Sequence, residues 1–589
     1  MLALACSSAD ESSGGPSAGA AGGGGAGGTD AGGVGGTGGV DAGGAGGTGG
    51  VAGTGAGGVA GTGAGGLLEM DTAVTVERYL YEFDLEEANA TSTVTGRVGP
   101  DGGNCLELDC ALQPATTQLS DEPCFVSSVV DERLRVCGPT HPADSGFELR
   151  TTLDVPEQTF LGLDVGFSRK PSQQGGTFAY LLSWFGGCSH FGPCDRDPGH
   201  LTGFDIAVSH PVGTTVLCPG TLQAGVDLTR CTIDGPLAPT YSAFALAAHT
   251  AWQRSHFANA AGVDIVFYEG AGSPLASNLA SSTVVAAFEW LSALLGPYPW
   301  GNELRFAAAP TAWLGFEHPA NIILHERLPT LSLPYADGTL HVLVHETVHQ
   351  WAGAYVTPAT ELDFVWKEAI AEYLTYVFEE EFLGEYEASA SRAYWDSISR
   401  WADFHPRPTD DPAPSIADFY GDAYGPGPLV LFIQLEPLLG RDTLLAAIKS
   451  FVATPGGRSV ADLKLVMEQA SGEDLGPYFD AWVFGEGKPA WPRFIAETEQ
   501  VGSEVTITLT QQSGSSKIYG CAVEVRVEGA TSSATGLVNF GLAPTSPTAS
   551  VVVTLAEPIV GVVVDPDFRV IDLPASRSAL GARPHIWMF

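Results

Sequence analysis

Hydrophobic and polar positions follow two different periods along the chain, and the changes between them divide it into three parts. Apolar residues recur at every second position over residues 67–247, in runs such as 75–83, which predicts β-strands separated by turns. Over residues 248–494 they recur every three to four positions, which predicts amphipathic helices. Residues 495–589 return to alternation in runs such as 505–510 and end in a tail. We therefore expect a multidomain α+β protein with an N-terminal β domain, a mostly helical central domain and a small C-terminal β-sandwich.

The first residues differ in composition from this body. Residues 1–6 end in Ala-Cys6 and resemble the end of a bacterial lipoprotein signal, in which a small residue precedes a lipid-modified cysteine. The match is partial, because such a signal also needs a basic segment and an apolar segment of about 7 to 15 residues. A chance Ala-Cys pair is the alternative. Residues 7–66 consist mostly of Gly, Ala and other small residues, which predicts a flexible linker without a core. We expect a secreted or cell-envelope protein, lipid-anchored at the bacterial surface or outer membrane.

The chain carries a strong acidic excess. It has 68 acidic and 27 basic residues, a formal net charge of −41 and a pI near 4.4. Such a charge repels nucleic-acid phosphates and anionic lipid surfaces. No stretch of the sequence reaches the roughly 18 uninterrupted apolar residues of a membrane-spanning helix. We therefore expect no nucleic-acid partner, and membrane contact only through a lipid anchor at Cys6.

Eight of the ten cysteines are concentrated in the N-terminal β domain. They are Cys105, Cys110, Cys124, Cys137, Cys188, Cys194, Cys218 and Cys231. This clustering predicts up to four disulfides, formed in an oxidising compartment, with a connectivity that stays open. A zinc ribbon is the rival interpretation, but four, twelve, five and twelve residues intervene within successive pairs, which is not the paired C-x2-C spacing of such sites.

A candidate metal site lies in the helical run 340–352, which contains the sequence His345-Glu-Thr-Val-His349. Residues four apart share one face of a helix, so both imidazoles can bind one ion. Glu346 lies one step around the helix and can act on a water molecule beside that ion. The alternative is that both histidines are ordinary buried residues of the core.

A third ligand is expected from the next helical run. Eighteen residues separate His349 from Glu368, which can return antiparallel to the first helix. Two imidazoles and one carboxylate leave a position open, as catalytic zinc requires, so we expect one Zn²⁺ per chain. Glu372, one helical turn later, can accept the outer N–H of a ligand histidine. A solvated surface position is the alternative for Glu372.

The thirteen residues 345–357 resemble the pattern H-E-x-x-H-x-W-F-G-N-x-V-T of the gluzincin zinc aminopeptidases, with alanine in place of Phe and Asn. This family includes membrane alanyl aminopeptidase, cold-active bacterial aminopeptidases and the leukotriene epoxide hydrolase. The resemblance extends over about residues 67–573. It implies an N-terminal β-saddle domain and a thermolysin-like catalytic domain. It also implies that His345, His349 and Glu368 bind zinc and that Glu346 is the general base.

Two further motifs carry the same resemblance. The segment Leu314-Gly-Phe-Glu-His-Pro occupies the place of the family's G-x-M-E-N motif, which implies that Gly315 and Glu317 bind the substrate and that Glu317 pairs with its free α-ammonium. A surface-loop glutamate is the alternative. The segment that begins at Tyr424 resembles Y-x-K-G-x-x-x-L, which implies that Tyr424 donates a hydrogen bond to the oxyanion. Tyr420 is a competitor for this role.

The resemblance implies a zinc-dependent aminopeptidase that removes the N-terminal residue from peptides with a free N-terminus. Two alternatives stay open. A thermolysin-like endopeptidase shares the zinc helix but does not need an amine-binding glutamate, and a non-catalytic surface module could use the same fold. The family resemblance also leaves an epoxide hydrolase activity open.

Overall fold

The N-terminal strands alternate buried and exposed side chains as the sequence predicts. In the strand Val74–Asp84, Tyr79, Tyr81 and Phe83 face the interior, and a register shift between Val76 and Arg78 interrupts the alternation. Such a bulge keeps apolar residues on both sides of it pointing into the same core. These three side chains belong to a hydrophobic cluster that consists mainly of residues from the N-terminal part. The computed structural model describes residues 71–120, 122–123, 126–160, 164–574 and 580–586. The predicted signal and linker lie outside these residues.

Three sheets build the N-terminal part. In spatial order, the eight-stranded sheet contains Thr221–Gln223, Leu228–Pro239, Leu201–Ser209, Val74–Asp84, Asn89–Val98, Gly146–Asp154, Thr116–Leu119 and Glu122–Pro123. The five-stranded sheet contains Gln158–Phe160, Val165–Pro171, Thr177–Leu182, Ala245–His249 and Thr215–Leu217. The four-stranded sheet contains Asp71–Thr72, Gly103–Asp109, Arg133–His141 and Val126–Val130.

Three disulfides fasten these sheets: Cys105–Cys137, Cys188–Cys194 and Cys218–Cys231. The prediction of disulfides is thereby confirmed, with three bonds among the described residues. Cys110 is a buried free thiol, and Cys124 lies outside the described residues. The paired cysteines do not form a zinc ribbon, because both sulfurs of each pair are used in the covalent bond.

The central region begins with a sheet and continues as packed helices. Its five strands, in spatial order, are Gln253–Ala260, Val263–Glu269, Glu303–Ala309, Asn321–His325 and Gly315–His318. Its α-helices are Ser281–Leu295, Gly338–Val348, Phe364–Phe382, Glu385–Ser399, Ile416–Tyr424, Glu436–Leu439, Arg441–Phe451, Val460–Ser471 and Gly476–Trp482, and one further short α-helix, Thr240–Ala243, lies at the end of the N-terminal part. Short 3₁₀ turns occupy Gly187–His190, Ala276–Asn278, Leu328–Thr330 and Glu361–Asp363, and a π-helical turn occupies Leu429–Ile433. Two short parallel pairs join Val356–Pro358 to Gly456–Arg458 and Arg407–Pro408 to Phe484–Gly485.

The C-terminal part is the predicted small β-sandwich. One sheet contains Arg493–Val501, Glu504–Gln512 and Thr548–Thr554, and the other contains Ser533–Gly541, Cys521–Glu528 and Gly561–Val564. Its inner side chains belong to the same hydrophobic cluster as the helices of the central region. The order of sheet, helices and sandwich therefore agrees with the predicted fold class, and the boundaries after residues 247 and 494 stay predictions. Among the described helices, none is both long and apolar enough to cross a membrane.

Two buried helices of the central region carry the residues of the predicted metal site. The helix Gly338–Val348, here the HExxH helix, is buried from Thr339 onward. The helix Phe364–Phe382, here the glutamate helix, is buried on every side from Phe364 to Glu379. A helix buried all round normally consists of apolar residues, so the charged side chains of the glutamate helix must find partners inside the protein.

We predict that a disulfide stabilises the protein more, the longer the loop that it closes. The sequence separations are 32 for Cys105–Cys137, 13 for Cys218–Cys231 and 6 for Cys188–Cys194. From the loop-closure entropy we expect the free energy of unfolding to fall by roughly 4, 3 and 2 kcal/mol when the cysteines of each pair, in this order, are replaced by serine. Chemical unfolding followed by circular dichroism measures these losses. Cys521→Ser, which removes a buried thiol but no disulfide, is the control. Equal losses in all three pairs would contradict the loop-length argument.

Candidate metal centre

The HExxH helix begins and ends so that its two histidines face the same direction. Asp337 caps its N-terminus by accepting a hydrogen bond from the backbone N–H of Leu340 at 3.1 Å. The helix ends at Val348, and His349 is its C-terminal cap residue. The Nδ1 atom of His349 lies 2.9 Å from the carbonyl oxygen of Ala352. Because a carbonyl oxygen only accepts, Nδ1 carries the hydrogen and Nε2 keeps a lone pair for a metal.

Three ligand atoms converge where the HExxH helix packs on the glutamate helix. The Nε2 atoms of His345 and His349 are 3.0 Å apart. Oε2 of Glu368 lies 3.2 Å from the first nitrogen and 3.6 Å from the second. A tetrahedral zinc ion with bonds of roughly 2.0 to 2.1 Å separates its ligand atoms by about 3.3 Å. The three predicted ligands therefore have the spacing and the donor types that zinc requires.

Glu346 lies beside these ligands, and its carboxylate has no hydrogen-bond partner among the residues that the structure describes. Its side chain is buried, and neither oxygen makes a hydrogen bond within the described part of the chain. Burial raises the pKa of Glu346 to about 8. Burial of a carboxylate without a hydrogen-bond partner costs free energy. A bound ligand or water molecule beside Glu346 would supply the missing partner. Glu346 also lies with Glu317 and His349 in a second group of convergent donors.

The charges of the site also favour a divalent cation. Glu317, Glu346 and Glu368 are three buried carboxylates, and within the described ranges Lys367 is the one ammonium group that contacts two of them. When all four are ionised, three negative charges against one positive leave two negative charges uncompensated. Burial of such an excess is strongly unfavourable. A zinc ion would balance it.

Gly315 and Glu317 lie on an edge strand of the central sheet that contacts the HExxH helix. A Cβ atom added at Gly315 would lie 2.5 Å from Cγ of Glu346, so only glycine allows this close approach. Glu317 Oε1 lies 3.1 Å from the Nζ atom of Lys367. Both residues are therefore beside the candidate metal centre, and Gly315 packs against Glu346.

The next residue on this strand, His318, replaces the family's asparagine and is held by the N-terminal part of the protein. Its Nε2 atom lies 2.9 Å from the hydroxyl of Tyr180, and Nδ1 lies 2.7 Å from the carbonyl oxygen of Ser242. Burial lowers the pKa of His318 to about 4, so the ring is neutral. The N-terminal sheet thereby fixes the strand that carries Glu317.

Glu372 is buried beside the candidate ligand His345 and is not a surface residue. Its Oε1 atom lies 3.1 Å from Nδ1 of His345, which is the contact that an outer partner of this ligand needs. Tyr424 donates its hydroxyl hydrogen to the same oxygen. The hydroxyl of Tyr424 therefore connects to the site through Glu372. The ring of Tyr420 stacks on that of Tyr424, with the two centroids 6.3 Å apart.

Two residues that contact this site have no motif in the sequence. Lys367 immediately precedes the third ligand, and its Nζ atom lies 2.6 Å from Oε1 of Glu368. His341 lies one helical turn before His345, and its Nε2 atom is 3.2 Å from Oε2 of Glu372. The repetition of histidine at every fourth position, 341, 345 and 349, is the signal that could have found His341.

A helix that carries both histidines, followed by a helix that carries the glutamate, is the arrangement of the gluzincin class of metallopeptidases. Residues 297–482, which include both helices, match the family model for the peptidase family M1 domain. This stretch of the chain is therefore similar to the M1 peptidase domain, in agreement with the sequence resemblance.

A solved structure supports the same architecture. The crystal structure of Legionella pneumophila aminopeptidase A in complex with aspartic acid superposes with a TM-score of 0.65 at 16% sequence identity. The match covers 85% of this chain and 59% of that protein. At this level of identity the similarity establishes the fold. A comparison with curated protein sequences finds no match.

We predict that the protein binds one zinc ion and that each of three substitutions abolishes this binding: His345→Gln, His349→Gln and Glu368→Gln. Each removes one of only three protein ligands. Metal analysis of the purified proteins measures the zinc content. A chelator should lower the thermal midpoint of the unaltered protein, because a ligand that binds only the native state stabilises it. The control is His249→Gln, which alters a buried histidine of the N-terminal sheet. Full zinc content in the three variants would refute the ligand set.

Proposed function

We propose that the protein is a zinc-dependent aminopeptidase that hydrolyses the first peptide bond of substrates with a free N-terminus. The observation that carries this proposal is the position of Glu317, whose carboxylate lies in one buried group with Glu346 and His349. An endopeptidase does not need a buried carboxylate for an amine at this place. The M1 domain and the aminopeptidase fold are consistent with this function.

Different residues of the chain would bind the metal and transfer the proton during hydrolysis. His345, His349 and Glu368 would hold zinc, which when bound acts as a Lewis acid on the scissile carbonyl and lowers the pKa of water. Glu346 would accept a proton from the attacking water and deliver it to the nitrogen of the leaving group. Its missing hydrogen-bond partners support this role, because both oxygens are available to water.

Glu317 would bind the α-ammonium of the substrate and so limit cleavage to the first bond. The ammonium of Lys367, 3.1 Å from Oε1 of Glu317, supports this assignment, because it is a positively charged nitrogen paired with the same carboxylate in a buried setting. The N-terminal amine of a substrate would be a second cation at the same carboxylate.

Tyr424 would donate a hydrogen bond to the oxyanion that forms at the scissile carbonyl. In the structure its hydroxyl donates to Glu372, and the hydroxyl of Tyr335 lies 2.7 Å from it. Tyr424 would therefore have to leave Glu372 before it could serve the substrate. The hydroxyl of Tyr335 could then form a hydrogen bond in the place that the Tyr424 hydroxyl has left.

We also propose a secreted or cell-envelope location. The three disulfides support an oxidising compartment. A lipid anchor at Cys6 would join the protein to the membrane, and loss of labelled palmitate from a Cys6→Ser variant tests that attachment.

We predict that Glu346→Gln keeps a full complement of zinc and lowers kcat by about 10²- to 10⁴-fold, because it removes the general base without removing a ligand. Zinc analysis and hydrolysis of an aminoacyl-anilide measure the two quantities. Glu289→Gln changes an exposed glutamate on another helix and is the control. Undiminished turnover in Glu346→Gln would exclude the assigned role.

We predict that the protein cleaves peptides with a free amine and leaves their N-acetylated counterparts intact. Glu317→Gln should lower kcat/KM for the free peptides by about 10- to 100-fold, because a hydrogen bond to a charged group is lost. Mass spectrometry of the products shows which bond is cut. Cleavage of acetylated peptides at internal bonds would favour the endopeptidase alternative.

A further inference from the structure

A third histidine, His341, lies behind the candidate metal centre with a carboxylate on each side of its ring. The side chain is fully buried on the HExxH helix. Its Nδ1 atom lies 2.8 Å from Oε1 of Glu379, and its Nε2 atom lies 3.2 Å from Oε2 of Glu372. Both glutamates lie on the glutamate helix. His341 therefore bridges two carboxylates of the helix that also carries Glu368.

The chemistry of these contacts defines the charge of the ring. An ionised carboxylate only accepts hydrogen bonds, so when Glu372 and Glu379 are both ionised each nitrogen of His341 carries a hydrogen. The ring is then an imidazolium cation between two anions. Burial disfavours the cation, but Glu379 and Glu372 outweigh this effect and raise the pKa of His341 to about 9.

Glu372 contacts both His341 and the candidate metal ligand His345. One of its oxygens faces His341, and the other faces Nδ1 of His345 at 3.1 Å. With Nδ1 of His345 beside Glu372, Nε2 of the same ring lies 3.2 Å from Oε2 of Glu368, on the side of the candidate metal position. A rotation of the Glu372 carboxylate would remove both the contact with His345 and the acceptor for Tyr424.

A second route connects the same histidine to Tyr424. The ring of Tyr335 stacks on His341, with centroids 3.5 Å apart and planes inclined by 12°. The hydroxyl of Tyr335 lies 2.7 Å from that of Tyr424. Since Tyr424 donates to Glu372, Tyr335 donates to Tyr424. His341, Glu372, Tyr424 and Tyr335 thus form a closed ring of contacts, here the His341 ring.

We propose that His341 is a positioning residue of the metal centre, which holds Glu372 so that one carboxylate orients both the zinc ligand His345 and the hydroxyl of Tyr424. The inference rests on the proposed zinc ligands. It predicts that the effect of His341 on zinc binding passes through Glu372. A histidine that only stabilises the fold would change neither the affinity for zinc nor the geometry of a bound metal in the folded protein.

The test measures metal binding in the absence of substrate. His341→Gln keeps a polar side chain of similar reach, and His341→Leu removes all polar contacts. Competition with a chromophoric chelator should give a zinc dissociation constant about 10- to 100-fold higher in both variants, the usual effect of losing an outer partner. The absorption spectrum of the cobalt-substituted protein should change as well, because it reports the ligand geometry. His249→Gln is the control for the loss of a buried histidine.

A double-mutant cycle separates positioning from general stability. If His341 acts through Glu372, adding His341→Gln to Glu372→Gln should weaken zinc binding by less than threefold beyond the single change. Full additivity, or an unchanged dissociation constant and cobalt spectrum in folded His341→Gln, would overturn the proposal. If His341→Leu does not fold, His341→Gln and Glu379→Gln decide the question. Failure of the unaltered protein to bind zinc would overturn both this inference and the proposed function, whereas normal zinc binding with no effect of His341 would overturn this inference alone.

Discussion

Burial of charge is the constraint on which the centre of this protein depends. The glutamate helix carries Lys367, Glu368, Glu372 and Glu379 into an interior where each ionised group is costly unless it is paired. The HExxH helix supplies imidazoles opposite these carboxylates, at distances of 2.8 to 3.6 Å. Apolar packing alone would tolerate sliding of one helix along the other. The charge pairs allow only one register, and this register brings the three ligand atoms together.

The same constraint explains why the site is built on regular elements and not on loops. Ligands on two packed helices and a carboxylate on an adjacent strand are held by the core, so their separations change little. His318 extends this support to the N-terminal sheets through Tyr180 and Ser242. The N-terminal part therefore contributes to the position of Glu317 without providing any of the proposed zinc ligands.

Sequence periodicity predicts the elements whose burial is one-sided and misses those buried on both faces. The C-terminal sandwich and the N-terminal strands alternate clearly and were predicted. The strand Glu303–Ala309 is buried at nearly every position between two parallel neighbours, so it has no alternation to detect. The fixed spacing of a helix likewise predicts that His345 and His349 share one face, whereas Glu368 lies on the next helix and was expected from the helical run that begins eighteen residues later. The role of His341 could not be predicted in this way, because its partners are 31 and 38 residues away and depend on the packing of two helices.

The close approach of Gly315 to Glu346 affects how mutational scans of this region should be interpreted. An alanine at position 315 would add a single methyl group, yet that group would meet the side chain of Glu346 at 2.5 Å. The side chain of Glu346 would be displaced although Glu346 itself is not substituted. A loss of activity on alanine scanning of this strand would therefore imitate the loss of the glutamate on the neighbouring helix, and would carry no information about contacts between residue 315 and a peptide.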